Sequence, residues 1–177
     1  MLKGLTTKFV VLIFLFGMIT SSACALEVSA FKMEEDGEAT ITFCKTFKIE
    51  NISLNKSSVA KTVVFEKDNG EFENIALLNK NIADKIISCF EGKCNLKTNC
   101  KSVPYTLISA RKAKDNNLVI AKVSFDRDIS AIFLVSSYQK KNKTMYRVKT
   151  PQDLKFLSSK YKKNFRNWLI NETKNLL

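Results

Sequence analysis

Lys67-Asp68-Asn69-Gly70-Glu71-Phe72-Glu73-Asn74-Ile75-Ala76 lies where the pattern of the chain changes. Before it, Val63, Val64 and Phe65 are the β-branched and aromatic residues of a strand. Asn69-Gly70 predicts a type I′ turn, whose two central residues need φ > 0. After Ala76 the period lengthens: Ile82, Ile86, Cys89 and Phe90 fall at helical spacing, with Asn81 as a candidate cap and Gly92 as a stop. Upstream, Leu26–Met33, Ala39–Cys44, Phe47–Leu54 and Val59–Glu66 read as short strands. Ile41 and Phe43 alternate with Thr40, Thr42 and Cys44, which is the pattern of an antiparallel sheet with one wet face. Asp36-Gly37 and Asn55-Lys56-Ser57-Ser58 supply the turns. Residues 26–95 therefore form one α+β unit: four or five strands and then one helix covering them.

The N-terminus has another character. Lys3 and Lys8 precede an apolar run from Phe9 to Ile19, and Ala23-Cys24-Ala25 fits an A-x-A cleavage site before Leu26. Residues 1–25 read as a signal peptide. A membrane anchor is the competing reading, but the run is about half of the ~20 residues a spanning helix needs. Lipidation at Cys24 is a third option. Export places the mature chain in a periplasmic or extracellular setting, with no transmembrane helix left after cleavage.

An oxidising compartment changes how Cys44, Cys89, Cys94 and Cys100 are read. Two disulfides are expected, with three pairings open. The Cys-x4-Cys-x5-Cys spacing of the last three is not a standard zinc pattern, and no Cys-x-x-Cys redox pair is present. No metal and no cofactor is expected. The chain of 177 residues has no histidine, which removes Ser-His-Asp and Cys-His triads. Glu34-Glu35-Asp36 are adjacent on a strand end, so neighbouring side chains point to opposite faces and make no acid–base pair. The chain is read as non-enzymatic. Sequons at Asn51, Asn55, Asn142 and Asn171 matter only in a eukaryotic secretory route.

The order of the residues resembles SpoVG (stage V sporulation protein G). Leu26-Glu27-Val28, Ala39-Thr40-Ile41-Thr42 and Phe47-Lys48-Ile49-Glu50-Asn51-Ile52 look like that family's opening strands. Gly70-Glu71-Phe72-Glu73-Asn74-Ile75-Ala76 looks like its hairpin signature. The resemblance covers about 65 residues. It implies a small dimeric α+β protein, associated with septation and with site-selective nucleic-acid binding, and no enzyme activity. This copy has only Lys67 before the signature, beside Asp68, where the family has a basic cluster.

Tyr105 to Leu177 reads as a second copy. Val28-Ser29-Ala30-x-Lys32 returns as Ile108-Ser109-Ala110-x-Lys112, and Ala39–Phe43 as Ile120–Phe125. Further on the spacing settles at 82, matching Phe72 to Leu154, Ile75 to Leu157, and Ile86 and Ile87 to Trp168 and Leu169. A final helix carries Tyr161, Phe165, Trp168, Leu169 and Leu176 on one stripe, expected to pack on its own sheet. Residues 96–104 read as a cysteine-containing linker, and residues 105–177 as the second, basic unit. The expected whole is two SpoVG-like units in tandem, a monomer acting as an internal pseudo-dimer with sheets joined or swapped at their edges.

Charge separates the copies. Residues 26–95 hold 9 Lys against 12 acids, net −3, and residues 96–177 hold 14 Lys and 4 Arg against 5 acids, net +13. With the two signal lysines these sum to the net +12 of the whole chain. Such asymmetry points the second unit toward an anionic partner. The candidate anion-binding or nucleic-acid-binding residues are Lys140, Lys141, Lys143, Lys149, Lys155, Lys160, Lys162, Lys163, Arg166 and Lys174. In the resemblance, Lys149 and Lys155 match positions that are basic in the family. A solvated lysine-rich face is the bland alternative. The candidate partners are nucleic acid, anionic lipid or cell-wall polymer. The alternative function is a disulfide-stapled envelope scaffold that binds a protein partner.

Overall fold

A computed structural model describes residues 26–57, 60–65, 74–98, 100, 102–114 and 117–177. The Asn69-Gly70 turn and Phe72 lie outside them, as does the whole 1–25 segment. The described chain is α+β, with two antiparallel sheets and two α-helices. The first half runs β1 (Val28–Met33), β2 (Ala39–Phe43), β3 (Phe47–Lys56), β4 (Lys61–Phe65), β5 (Ile75–Leu77) and α1 (Lys80–Phe90). The second runs β6 (Tyr105–Lys112), β7 (Leu118–Phe125), β8 (Ile129–Lys140), β9 (Lys143–Lys149), β10 (Leu154–Phe156) and α2 (Ser159–Thr173).

Each sheet takes its fifth strand from the other half. β1-β2-β3 continue with β4 along one part of β3 and with β10 along another; β6-β7-β8 continue likewise with β9 and β5. Leu154 pairs with Ile49 and Phe156 with Phe47, while Ile75 pairs with Ala131 and Leu77 with Ile129. β8 thus shares one edge between β5 along its first residues and β9 along the rest, as β3 does between β10 and β4. The two short strands are delivered by the segments that lead into α1 and α2, so each helix starts from the opposite sheet.

Alternation builds the sheets as the sequence indicates: Ala39, Ile41 and Phe43 are buried, with Thr40 and Thr42 between them less so. Among the described residues the primed turns fall elsewhere than on a glycine. Cys44 and Lys45 (φ 49° and 52°) join β2 to β3, Asp126 and Arg127 (φ 51° and 61°) join β7 to β8, and Lys141 and Asn142 (φ 49° and 60°) join β8 to β9. Left-handed non-glycine residues cost about 1–2 kcal/mol each. Around the first turn, side chains help hold the geometry: Lys45 N donates to Ser29 Oγ at 2.9 Å, and Thr46 Oγ1 donates to the Cys44 carbonyl at 3.0 Å.

Helix α1 is capped two residues earlier than the sequence indicates. Asn79, not Asn81, is the N-cap, its side chain accepting from Asn81 N at 2.9 Å. Asn81 sits inside the first turn because the strand β5 ends at Leu77 and leaves only two residues before the helix. Gly92, at φ 75°, closes α1 as expected, with Gly92 N donating to the Cys89 carbonyl at 3.1 Å. The expected spacing of 82 is kept by some strand positions and not by their partners. Ile49 and Ala131 are 82 apart (131 − 49), but their partners Leu154 and Ile75 are 79 apart (154 − 75). Ile75 therefore corresponds in position to Leu154, not Leu157. The buried stripes of the helices follow: Ile82 and Ile86 correspond to Tyr161 and Phe165. The path from Ile49 to Ile75 is 26 residues (75 − 49) and that from Ala131 to Leu154 is 23 (154 − 131), which accounts for the slip. At the other end Val28 pairs with Phe43 and Tyr105 with Phe125.

One core joins the halves. Phe43, Phe47, Phe125, Phe133 and Phe165 are fully buried. Phe125 touches four rings: Phe47 (centroids 5.0 Å), Phe165 (5.7 Å), Phe133 (6.2 Å) and Phe156 (6.3 Å). The α2 stripe packs on its own β6 through Tyr105, which meets Tyr161, Phe165 and Trp168. Truncating Phe125 leaves a void that four surrounding rings cannot close together. Phe125→Ala is expected to cost about 3–5 kcal/mol, read as a lower denaturant midpoint with little change in slope.

Residues 96–104 contain no strand or helix among those described, yet they are anchored. Lys97 N donates to the Val28 carbonyl at 2.9 Å, Val103 is buried, and Tyr161 Oη donates to the Val103 carbonyl at 2.9 Å. Of the two expected disulfides the structure contains one, Cys89–Cys94, at the end of α1. Cys44 and Cys100 sit as thiols, within 3.7 Å of the Glu27 and Lys97 carbonyls respectively.

Candidate anion-binding face

The cations of the second half are spread over three places by the fold. Lys140, Lys141 and Lys143 crown the β8–β9 hairpin, where Lys140 pairs across from Lys143. Lys149 ends β9 and lines a small hollow with Asn74, Ile132, Leu134, Thr150 and Pro151. Lys160, Lys162, Lys163 and Arg166 ride on α2, with Lys174 at its C-cap. Lys162, Lys163 and Arg166 converge, because α2 lies beside β9 and exposes the face opposite its Tyr161–Phe165–Leu169 stripe.

That convergence makes a cleft of about 460 Å³, lined by Thr144, Met145 and Tyr146 from β9 and by Ser159, Lys162, Lys163, Arg166, Asn167 and Ile170 from α2. Arg166 Nη2 donates to the Tyr146 carbonyl at 2.7 Å, which fixes one edge of the guanidinium over the strand. Among the described residues no carboxylate lines the cleft. Met145 and Ile170 place apolar surface beside the three cations, all of which are exposed.

Lys155 and Lys160 are apart from this cleft. β10 carries Lys155 into the first sheet, where its Nζ and that of Lys48 both bond Glu50. Those two bonds, Lys155's first, hold the Glu50 carboxyl below its usual pKa. Lys160 lines a separate hollow with Cys44, Cys100, Ser158 and Asn164. The sequence did not single out Met145, Ser159, Asn167 or Ile170, since a cleft between a strand and a helix has no local pattern.

Ion pairing sharpens the contrast between the halves. Lys32–Glu34, Lys48–Glu50, Lys85–Glu27, Lys97–Glu27 and the Lys61 and Lys93 pairs with Glu91 all lie in residues 32–97 or on Glu27. Burial pulls the Glu27 carboxyl up, but its bonds to Lys85 and Lys97 together outweigh that and hold it low. Among the described residues none of Lys140, Lys141, Lys143, Lys149, Lys160, Lys162, Lys163, Arg166 and Lys174 is in a salt bridge. The corresponding cleft of the first half, between β4 and α1, is lined by Lys61–Phe65, Ile75–Leu77, Ala83 and Ile87. Its one cation, Lys61, is bonded to Glu91.

The fold and this face define an α+β protein of two antiparallel sheets and two helices, with an unneutralised basic cleft on one side. Among the described residues no helix is long and apolar enough to cross a membrane. No protein-family model, no curated protein and no solved structure matches the chain.

Proposed function

We propose that this is an exported, non-enzymatic binding protein made of two SpoVG-like units in tandem, holding an anionic polymer in the β9–α2 cleft of its basic unit. The observation that carries the reading is the cleft itself: three cations and, among the described residues, no lining carboxylate and no ion pair to relinquish on binding. Phosphate or carboxylate groups along a polymer would replace water around Lys162, Lys163 and Arg166, with Arg166 offering a planar fork. The resemblance points to nucleic acid as the polymer. Export points equally to anionic lipid or cell-wall polymer.

The tandem reading draws support from paired hydrogen bonds. Glu50 N donates to the Asp153 carbonyl at 2.9 Å, and Ile132 N to the Asn74 carbonyl at 2.8 Å; Leu157 N donates to the Thr46 carbonyl at 2.9 Å, and Leu78 N to the Asp128 carbonyl at 2.8 Å. On β3 and β8 and the turn residues just before them each pair is shifted by 82 (132 − 50, 128 − 46), and on the exchanged segments by 79 (153 − 74, 157 − 78). A homodimer that trades its fifth strand, once fused, would have this connectivity.

The test is a salt titration of binding to a single-stranded oligonucleotide, to phosphatidylglycerol-rich vesicles and to soluble anionic wall polymer. Three engaged cations predict that log affinity falls against log salt with a slope of about −2 to −3 for the preferred polymer. Binding to none of the three, at low salt, would defeat the reading and leave the scaffold with a protein partner.

A further inference from the structure

The first described residue is also among the most deeply placed. Leu26 is 0% exposed and belongs to the core. Its backbone N donates to Asp128 Oδ2 at 2.8 Å in a buried hydrogen bond. Its carbonyl accepts from Lys85 Nζ at 3.1 Å. Asp128 stands at the end of the β7–β8 turn, 4% exposed, and its Oδ1 accepts from Asn79 Nδ2 at 2.9 Å. Its carboxylate therefore has two N–H donors and, among the described residues, no salt-bridge partner. A buried carboxylate held only by uncharged donors is costly.

Leu26 is the residue that follows Ala23-Cys24-Ala25. We propose that removal of residues 1–25 is a folding event as well as a release: the new Leu26 α-ammonium forms a buried ion pair with Asp128 and ties the start of the first half to the β7–β8 turn of the second. The inference rests on the export reading. A leader peptidase would add water across the Ala25–Leu26 amide. The C–N bond breaks, the oxygen goes to the Ala25 carboxylate, and the freed amine takes a proton. The donor atom keeps its place 2.8 Å from Asp128 Oδ2 and gains the charge the carboxylate lacks.

The charged groups around the pair are few. The turn contributes Asp126, Arg127 and Asp128, α1 contributes Lys85, and the strand entry contributes Glu27 with its partner Lys97. Burial and then the charge of Asp128 push the Asp126 carboxyl up, against the opposing pull of Arg127 and Lys85. An ammonium stabilised by Asp128 has a raised folded-state pKa. Its contribution is full below the unfolded value of about 7.7–8.0 and is lost as pH rises through the folded one.

Two chains separate charge from mere hydrogen bonding: one beginning at Leu26, one with Gly-Ser ahead of Leu26. Both keep the N–H donor, and only the first carries the ammonium there. At pH 6.5 the Leu26-first chain should melt higher by on the order of 5 °C, and the gap should close in alkali and in Asp128→Asn. Equal melting of the two chains from pH 6 to 10 overturns the ion pair. If Asp128→Asn does not fold, an NMR titration of the Leu26 α-amine decides: a value above the ordinary range supports the pair, and one at or below it defeats it. The intact mass of the protein from its native source tests the export reading separately. A first residue other than Leu26 overturns the maturation step whatever the melting curves show.

Discussion

Residues 26–100 and 101–177, produced as separate chains, will each be unfolded as monomers and will fold when mixed. The physical reason is the exchanged strand. Alone, the first fragment would leave β3 without β10 along Phe47–Ile49, and would carry Ile75–Leu77 with no β8 to pair with. Phe47 would lose Phe125, and the buried Ile75 would be exposed. The second fragment would lose the same contacts from the other side, along with the Leu26–Asp128 bond. Each half of about 75 residues is near the size at which a core supplies only ~3–5 kcal/mol, so the loss of a strand and of half the aromatic cluster exceeds what either retains. Circular dichroism should show coil-like spectra for the fragments apart and a cooperative melt for the 1:1 mixture. A fragment that folds alone as a monomer would mean the exchange is a surface addition and not the basis of the core.

Much of the sheet structure was legible. Ala39–Phe43 and the start of Phe47–Lys56 alternate strictly, so period alone locates them. The helix over Ile82, Ile86 and Cys89 was legible for the same reason, and Gly92 marked its end. Joined or swapped sheet edges were expected, but which strands are exchanged, β5 and β10, was not legible. Ile75–Leu77 and Leu154–Phe156 are three residues each, too short to show a period, and their partners lie more than 50 residues away along the chain. The Asp36-Gly37 turn was legible, with Gly37 at φ 88°, but the turns at Cys44-Lys45, Asp126-Arg127 and Lys141-Asn142 carry no glycine to mark them, since Asn-Gly is only the commonest way to obtain φ > 0. Cys44-Lys45 and Arg127 reach it where the hairpin geometry and side-chain bonds demand it. Of the candidate site, sign and approximate place were legible in the charge count. The grouping was not: Lys155 is on a strand that crosses to Glu50, while Lys162, Lys163 and Arg166 meet across from a strand that carries Met145.

The second large effect concerns that grouping. Lys162→Ala, Lys163→Ala and Arg166→Ala together remove three charges from the cleft. Lys32→Ala, Lys56→Ala and Lys80→Ala remove three from exposed places in the first half. Net charge falls equally in both variants, so long-range attraction falls similarly. Only the first loses direct contacts, each worth about one unit of salt slope. The Arg166 bond to the Tyr146 carbonyl is also lost, but it is exposed, so the folded state should be little affected.

The measurement that bears most directly on the function is the affinity of these two variants and the parent protein for whichever of the three polymers binds, taken at one low salt concentration and again across a salt series. The cleft variant should bind about 100-fold more weakly, with its salt dependence nearly flat, while the first-half variant stays within a few-fold of the parent. Equal weakening in both variants would mean that net charge alone attracts the polymer, and the cleft between β9 and α2 would not be a binding site.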